Sequence, residues 1–579
     1  MEELLCFSFY VTPKDYRKQI ILGPFFKFLE AIFELILPLF MARLVDEGIA
    51  RHDQGKVIEM AVAMLGLSIV GLLCALICQY YASIASQGFG TVLRNRLMEK
   101  INSFSHNELN RFGTDTLITR MTNDINQMQG ALAMLIRLVV RAPFLSIGSV
   151  IMAFYIDWQM GLIFLILLPI FCLILFLIIH YSVPLYKNIQ QKLDQLNQLV
   201  TQNLSGVRVI RAFARTKTET NHFNEETEEI SHLNQKVANI SALLSPSTTL
   251  IMNAGVVALL YFGGFKVNIG HLEQGQVLAL INYMNQMLLA LIVVSNLVVL
   301  FTRAAASANR INEVFATDTT LADDGTTQQA DEQAPLIDFQ NVDFRYTEKS
   351  GLALQDISFT MEENNFLGIT GATGSGKSTL ISLIPRFYDA TRGRVNFAGS
   401  NVKDWQLDRL RSEIALVPQT AVLFSGTIRE NLQWGKPDAT DEECWQALST
   451  AQASEFVETL PKGLDTPILE NGKNFSGGQR QRLTIARALI RKPKLLILDD
   501  SLSALDYQTD LDLRQALKRD LACGVIIISQ RLRSIQEAET ILLMDNGKIV
   551  AQGAHNTLLK ESKLYQELVK SQEEGGAVQ

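Results

Sequence analysis

The sequence is poor in cysteine, and the cysteines that it has are scattered. Only 6 occur among 579 residues, and no two of them form a C-x-x-C pair. Zinc sites need paired ligands at short spacing, and disulfide-rich scaffolds carry a much higher density of cysteine. We therefore predict neither a cysteine-bound metal nor a fold held together by disulfides.

Charge is also scarce in this chain. Charged residues make up 19% of the sequence, hydrophobic residues make up 48%, and the formal net charge is -7. Lysine and arginine form no block interleaved with aromatic residues, which is the pattern typical of nucleic-acid binding. The composition argues against a nucleic-acid partner and indicates that a large part of the chain contacts the lipid bilayer.

Six apolar segments are each long enough to cross a bilayer with some tilt. The connections after the second and fourth segments are long and rich in lysine and arginine, so the positive-inside rule predicts that they are cytoplasmic. We therefore predict a multi-pass membrane domain over residues 1–315, with both chain termini in the cytoplasm. The six segments cover approximately residues 20–45, 58–83, 132–156, 160–183, 241–265 and 277–301.

Two of these segments carry ionisable residues. Glu30 and Glu34 are one helical turn apart in the first segment, and Arg137 and Arg141 have the same spacing in the third. Such groups are costly at membrane depth and usually face a cavity or a partner. Two interpretations stay open: Glu30 and Glu34 line a substrate pathway that favours cationic cargo, or the charges pair within the helix bundle.

A phosphate-binding loop is predicted in the second half of the chain. The run GATGSGKS at 371–378 fits G-x-x-x-x-G-K-[ST], follows an apolar run and opens a helical pattern. Backbone amides of such a loop cradle phosphates, Lys377 would reach the β- and γ-phosphates, and Ser378 would bind Mg²⁺. The predicted ATP-binding residues of the loop are Gly371, Gly374, Ser375, Gly376, Lys377, Ser378 and Thr379.

Two further motifs follow in the order that such an ATPase needs. Ser476, Gly477, Gly478 and Gln479 form a glycine-lined turn at the start of a helical pattern, which favours anion binding. The apolar run 495–498 then predicts a buried strand, and Asp499 at its end would hold Mg²⁺. We therefore predict an α/β cassette over residues 336–569, joined by a linker at 316–335 and followed by a disordered tail at 570–579.

Together these motifs resemble the ATP-binding cassette (ABC) family, and their order resembles an exporter half-transporter. The resemblance implies a multidomain fold, with an all-α six-helix transmembrane domain of the type I exporter followed by an α/β P-loop NTPase cassette. It also implies that two cassettes close head to tail, with ATP between the P-loop of one and the SGGQ signature of the other. By motif, Tyr346 matches the adenine-stacking aromatic residue, and Gln419 matches the glutamine that senses Mg²⁺ and the attacking water.

Four residues match places where the family couples its domains. Phe104 and Phe213 lie in the two long connections, where the resemblance implies coupling helices. Glu470 follows Leu469, although the usual residue before this glutamate is glycine. Asp506 ends the loop by which two cassettes contact each other.

Two positions depart from the family pattern in the same ATP site. The catalytic glutamate is replaced by Asp500, and the switch histidine is replaced by Gln530. Aspartate is one methylene shorter, and a misplacement of about 1 Å can cost roughly a hundredfold in rate. Glutamine can hydrogen-bond a γ-phosphate, but it cannot carry the proton or the charge of imidazole. The sequence therefore predicts a site that binds ATP well and hydrolyses it poorly.

These observations predict an ATP-driven translocase subunit with ATP and Mg²⁺ as cofactors. Its partner would be a second half-transporter of the same family, and together they would move amphipathic, multidrug-like compounds out across the plasma membrane. Compactness and the lack of a targeting segment favour a bacterial source. Two alternatives are a homodimeric exporter of lipid or peptide, and a regulatory module that uses ATP to gate a partner without net pumping.

Overall fold

The computed structural model describes residues 16–321, 325–327, 331 and 333–576. It divides into two compact units, the first ending at Thr317 and the second beginning at Asp318. The segment Ser103–Gly113 is the exception, because it belongs to the second unit. The sequence-based boundary at residue 315 lies two residues before the end of the first unit, and residues 103–113, which the sequence analysis includes in 1–315, fall in the second unit.

The described residues of the first unit form helices and the short turns that connect them. Its helices are interrupted by π-helical turns at Leu44–Ile49, Arg120–Asp124 and Leu135–Val139. The α-helices up to residue 316, of which α3 lies in the second unit, are α1 (Arg17–Arg43), α2 (Gln54–Asn102), α3 (His106–Phe112), α4 (Thr114–Thr119), α5 (Ile125–Met134), α6 (Arg141–Ile156), α7 (Trp158–Ser205), α8 (Val207–Ala212), α9 (Thr216–Ala242), α10 (Leu244–Asn268) and α11 (Gln274–Ala316).

Among the described residues, five helical stretches are long and apolar enough to cross a membrane. The first predicted span lies in α1, which is helical over 27 residues but carries Lys27, Glu30 and Glu34 near its middle. These charges, rather than a lack of length, keep α1 out of the set. The five stretches are Gln54–Asn102, Thr114–Ile156, Trp158–Ser205, Thr216–Asn268 and Gln274–Val294.

The second unit contains twelve described strands. They are β1 (Ile337–Phe344), β2 (Leu354–Met361), β3 (Phe366–Gly371), β4 (Arg392–Phe397), β5 (Ser400–Asn401), β6 (Ile414–Val417), β7 (Gly426–Thr427), β8 (Pro467–Ile468), β9 (Leu495–Asp499), β10 (Gly524–Ile528), β11 (Thr540–Asp545) and β12 (Lys548–Gly553). Six of them form a sheet in the order β12-β11-β3-β10-β9-β6, four form a sheet in the order β2-β1-β4-β5, and β7 pairs with β8.

The inner strands of the six-stranded sheet are buried on both faces, which explains their continuous apolar runs. In β10, Val525 and Ile527 pack into one hydrophobic cluster, and Ile526 and Ile528 pack into the other. The α-helices of residues 336–576 lie between and after these strands in the chain. They are α12 (Lys377–Ser382), α13 (Leu407–Glu413), α14 (Ile428–Gln433), α15 (Asp441–Thr450), α16 (Ser454–Glu458), α17 (Gly477–Leu489), α18 (Tyr507–Asp520), α19 (His555–Glu561) and α20 (Lys563–Gly576).

The sheet topology brings the predicted motifs to one edge. Strands β11, β3, β10, β9 and β6 are parallel, so their carboxyl ends face the same way. In register, Ile528 lies beside both Asp499 and Ile369. The loops that follow these strands are the places where an open α/β sheet binds its ligand.

The end of the chain differs from expectation. The sequence predicts a disordered tail from residue 570, yet α20 continues to Gly576. Residues 577–579 lie outside the described part of the chain, as does part of the predicted linker. Helix α20 is stable in this position because Tyr565 is fully buried and Leu568 packs against the same apolar cluster.

Candidate active site

The predicted P-loop follows β3 and wraps the start of α12. Gly376 caps that helix with a φ of 101°, a backbone conformation that side chains with a Cβ rarely adopt. A Cβ at Gly371 would lie 2.1 Å from the carbonyl oxygen of Met544, so only glycine fits there. Lys377 is buried, and its Nζ donates to the carbonyls of Gly371 (2.9 Å) and Ala372 (2.7 Å).

Two acids lie opposite the loop, at the end of β9. Ser378 Oγ donates to Asp499 Oδ1 at 3.2 Å, which brings two hard oxygen donors together. Gln419, which follows β6, donates from Nε2 to Asp500 Oδ2 at 3.4 Å. The backbone of Asp500 has a φ of 45°, in the left-handed region that aspartate tolerates better than most residues.

The charged groups of this site perturb one another. Burial raises the pKa of the Asp499 carboxyl above its ordinary value, against a hydrogen bond from Ser378 that lowers it. Burial also raises the pKa of Asp500, while the charge of Lys377 opposes that shift. The pKa of Lys377 is lowered, first by burial, although both carboxylates act against the change. A cluster of opposed shifts in a cavity is typical of a functional site.

These side chains surround one cavity of about 500 Å³. Most of the predicted site residues line it; Gly371 and Ser375 support the loop from behind through hydrogen bonds with Lys377. The predicted residues that line the cavity are Tyr346, Gly374, Gly376, Lys377, Ser378, Thr379, Gln419, Asp499, Asp500 and Gln530.

The predicted signature lies elsewhere on the unit. Ser476 caps α17 by accepting from the Gln479 backbone N–H, and the Gln479 side chain accepts from the Ser476 N–H in return. Ser476 and Gly477 are exposed, and Gly478 is half-buried. None of Ser476–Gln479 lines the cavity, so the structure separates the two halves of the predicted ATP-binding set.

Tyr346 connects the cavity to the segment of the first long connection that folds with this unit. Its hydroxyl is 2.8 Å from Thr379 Oγ1, and its ring packs edge-on against Tyr388 at 5.3 Å. Tyr388 accepts a hydrogen bond from Asn110 Nδ2 at 3.2 Å, and His106 stacks on Phe387 at 4.4 Å. A short chain of aromatic contacts therefore joins α3 to the rim of the cavity.

The four predicted coupling residues have different environments. Phe104 is buried and stacks on Phe112, at the ends of the α3 segment. Phe213, after α8 in the first unit, is 74% exposed. Glu470 lies in an exposed turn beside Lys473 at 3.8 Å, and Asp506 caps α18 through Thr509. Asp506 thus has a clear structural role in this chain, whereas Phe213 and Glu470 are open to other contacts.

The two glutamates of α1 are ion-paired. Glu30 accepts from Lys27 Nζ at 2.7 Å, and Glu34 accepts from Arg141 at 2.8 Å. The Arg141 pair joins α1 to α6, and Gln286 of α11 donates to the backbone carbonyl of Glu34 at 3.2 Å. Of the two interpretations of these glutamates, the contacts favour charge pairing within the bundle.

Some cavity residues were not predicted from the sequence. Asn546 and Gly547 form the turn between β11 and β12, and Leu352, Ala353 and Thr373 line other walls. The Asn-Gly pair predicts a hairpin turn. Its place beside the P-loop depends on the parallel pairing of β11 with β3, which no local pattern reveals.

Comparisons with known proteins agree with this arrangement. Residues 20–291 match the family described as ABC transporter transmembrane region, and residues 354–503 match the family described as ABC transporter. The chain is 37% identical to the uncharacterized ABC transporter ATP-binding protein YfiB of Bacillus subtilis, over 94% of each chain. It is 34% identical to the probable multidrug resistance ABC transporter protein YheI of the same organism, over 84% of each.

Two further comparisons concern a lipid flippase and a solved structure. An ATP-dependent lipid A-core flippase of Syntrophus aciditrophicus is 31% identical, over 85% of this chain and 82% of the flippase. A solved structure of a bacterial Atm1-family ABC exporter with ATP bound superposes with a TM-score of 0.80, covering 96% of this chain and 99% of that one. At 21% sequence identity, that likeness shows a shared fold.

Proposed function

This chain belongs to the ABC transporters that fuse a membrane domain to an ATP-binding cassette, and we propose that it is one half of a heterodimeric exporter. The exporter would use ATP to move amphipathic compounds across a bacterial plasma membrane, with the cassette in the cytoplasm. One observation supports the proposed heterodimer: Asp500 and Gln530 share a cavity with an intact P-loop, whereas the intact signature lies outside that cavity.

ATP would enter the cavity with its phosphates at the P-loop. Lys377 now donates to carbonyls of its own loop, and its amine would turn to the β- and γ-phosphates when they arrive. Tyr346 is 44% exposed at the cavity rim, so its ring is open to stack on adenine. The signature of the partner would close over the same nucleotide.

Mg²⁺ fits the oxygen donors present in the cavity. Among the described residues, no three His, Cys, Asp or Glu side chains converge to hold a metal ion. Mg²⁺ usually takes one or two protein ligands and completes its shell with phosphate oxygens and water. Ser378 and Asp499 would supply those ligands, with Gln419 beside them, and the ion would neutralise charge on the β- and γ-phosphates.

The catalytic weakness follows from two side chains. Asp500 would act on the attacking water, but its carboxylate is one methylene shorter than the glutamate of the family. Gln530 would hydrogen-bond the γ-phosphate without the charge of a protonated histidine. We therefore propose that ATP resides at this site as a structural ligand for most cycles, while Ser476–Gln479 of this chain completes the partner's faster site.

The proposed class of cargo is based on the descriptions of two relatives. YheI is described as a probable multidrug resistance transporter, and the Syntrophus protein as a lipid A-core flippase. Both descriptions suit amphipathic molecules, so we propose the same class for this chain. Because Glu30 and Glu34 are already paired with Lys27 and Arg141, they carry no free negative charge that would select cationic cargo.

Purification of the chain from its native membrane, alone and with the proteins that remain bound to it, tests this proposal. We expect a second half-transporter in the complex and an ATPase rate at least about tenfold above that of the isolated chain. A fully active complex of this chain alone would indicate a homodimeric exporter. A complex that hydrolyses ATP yet moves no cargo in vesicles would indicate the regulatory alternative.

A further inference from the structure

The last helix of the chain reaches the loop that carries Gln530. Gln572 of α20 donates from Nε2 to the backbone carbonyl of Gln530 at 2.7 Å. Its Oε1 accepts from the backbone N–H of Leu532 at 3.0 Å. One amide side chain therefore satisfies two backbone groups of the same loop.

Helix α20 holds Gln572 in place. Tyr565, two turns earlier, is fully buried, and its hydroxyl is 2.8 Å from His555 Nδ1 of α19. Residues seven apart lie on the same face of a helix, so the anchoring of Tyr565 places Gln572, which is itself exposed, beside the loop. The contact is thus made from an anchored helix.

The loop receives hydrogen bonds on both sides of Gln530. Before it, the Ser529 backbone N–H donates to the Ile369 carbonyl at 3.1 Å, and the Gln530 carbonyl accepts from Gln572. Beyond it, Leu532 is buried and begins a short 3-10 turn. The side chain of Gln530, placed between these contacts, lines the ATP cavity.

We propose that Gln572 is a positioning residue for the γ-phosphate end of the ATP site. It acts through the backbone of Gln530, which it aligns with Asp500. The position of α20 therefore influences nucleotide recognition. The inference rests on the proposed role of Gln530 as a γ-phosphate contact. Displacement of α20 would loosen the loop and reduce the preference for ATP over ADP, leaving the P-loop itself unchanged.

The test compares two glutamines of the same helix in the full-length protein. Gln572→Ala removes both contacts with the loop, whereas Gln566→Ala removes a hydrogen bond from Nε2 to the Leu559 carbonyl, away from the cavity. Equilibrium binding of Mg·ATP and of Mg·ADP is measured for each. We expect Gln572→Ala to lower the ATP-to-ADP affinity ratio about threefold to tenfold, the effect of one or two hydrogen bonds, and Gln566→Ala to leave it unchanged.

A double-mutant cycle separates this inference from the proposed function. In the Gln530→Ala background, Gln572→Ala should have no further effect on the ratio, because the side chain that it positions is gone. An equal effect in both backgrounds, or none in the parent protein, would overturn the role of Gln572. If Gln530→Ala alone left the ratio unchanged, the proposed γ-phosphate contact would be wrong instead. If Gln572→Ala lowers the melting temperature more than Gln566→Ala does, Gln572→Glu is measured in its place. The Gln572→Glu variant keeps the acceptor and loses the donor, and the same criteria apply.

Discussion

Asp500 has fewer ways to reach an attacking water than a longer acid would have. Its backbone is fixed in the left-handed region, and its carboxylate accepts a hydrogen bond from Gln419. Lengthening the side chain would add one methylene of reach, yet glutamine at position 530 would still bring no positive charge. We therefore expect Asp500→Glu alone to recover only part of the activity of a complete site.

Lys377 gives the most direct prediction for nucleotide binding. Lys377→Ala removes a buried cation beside the phosphate position, and a hydrogen bond to a charged group contributes about 1.5–3 kcal/mol. We expect labelling of this P-loop by a photoreactive ATP analogue to fall at least roughly tenfold. The variant Lys462→Ala, which removes an exposed lysine of the same cassette, serves as the control. Undiminished labelling of Lys377→Ala would contradict the assignment of this loop.

The raised pKa of Asp499 predicts a pH effect. The folded state binds the proton of Asp499 more tightly than the unfolded state does. The free energy of unfolding of the nucleotide-free protein therefore falls as pH rises from the ordinary pKa of aspartate, about 3.9, through the raised value. At neutral pH, Asp499→Asn should therefore raise the melting temperature without nucleotide by a few degrees. It should also abolish the further rise that Mg²⁺ gives in the presence of ATP.

The variant Asp438→Asn, which neutralises an exposed acid, is the matched control for that experiment. It should change neither melting temperature. A lower melting temperature for nucleotide-free Asp499→Asn would show that the carboxylate charge stabilises the empty site, which is the opposite of what burial of that charge predicts.

Among the elements, the end of α8 and the turn at Glu470–Gly472 present exposed side chains, which we expect to take part in coupling. Phe213 is largely exposed, as is Leu469 beside Glu470. We expect Phe213→Ala and Glu470→Ala to reduce cargo transport per ATP hydrolysed, without weakening nucleotide binding, since neither lines the ATP cavity. Vesicle transport and ATPase rates measured together check this ratio.

Matched controls exist for both positions. Phe223→Ala removes another partly exposed ring on α9, and Glu458→Ala removes another exposed acid of the cassette. They should leave the transport-to-hydrolysis ratio unchanged. Loss of ATP binding in Phe213→Ala or Glu470→Ala would show that the residue supports the fold rather than coupling.

At the scale of elements, the sequence predicts what local patterns encode. The P-loop, the acids after β9 and the glutamines after β6 and β10 follow buried strands, and parallel pairing brings them together. Contacts between distant segments were not predictable in this way. The Tyr388 contact with Asn110 and the Gln572 contact with Gln530 join positions 278 and 42 residues apart. They depend on packing that no short pattern describes.

At the scale of the whole molecule, the proposed function has the chain contribute unequally to two ATP sites. Its own cavity holds Asp500 and Gln530, whereas the helix that begins at Gly477 is capped by Ser476 and exposed at its start. Gly477 is informative in this respect, because a Cβ added to it would meet nothing within 4 Å beyond its chain neighbours and the backbone of its own helix. A side chain at that position is therefore tolerated by the chain itself and would act on whatever closes over the signature.

The most direct measurement compares Asp500→Asn with Gly477→Asp, each in the complete transporter, by steady-state ATPase rate. If hydrolysis occurs mainly in the partner's site, Gly477→Asp should reduce the rate at least about a hundredfold, whereas Asp500→Asn should retain most of it. Loss of turnover in Asp500→Asn, with Gly477→Asp still active, would contradict the proposed division of labour, because it would place hydrolysis in the cavity of this chain.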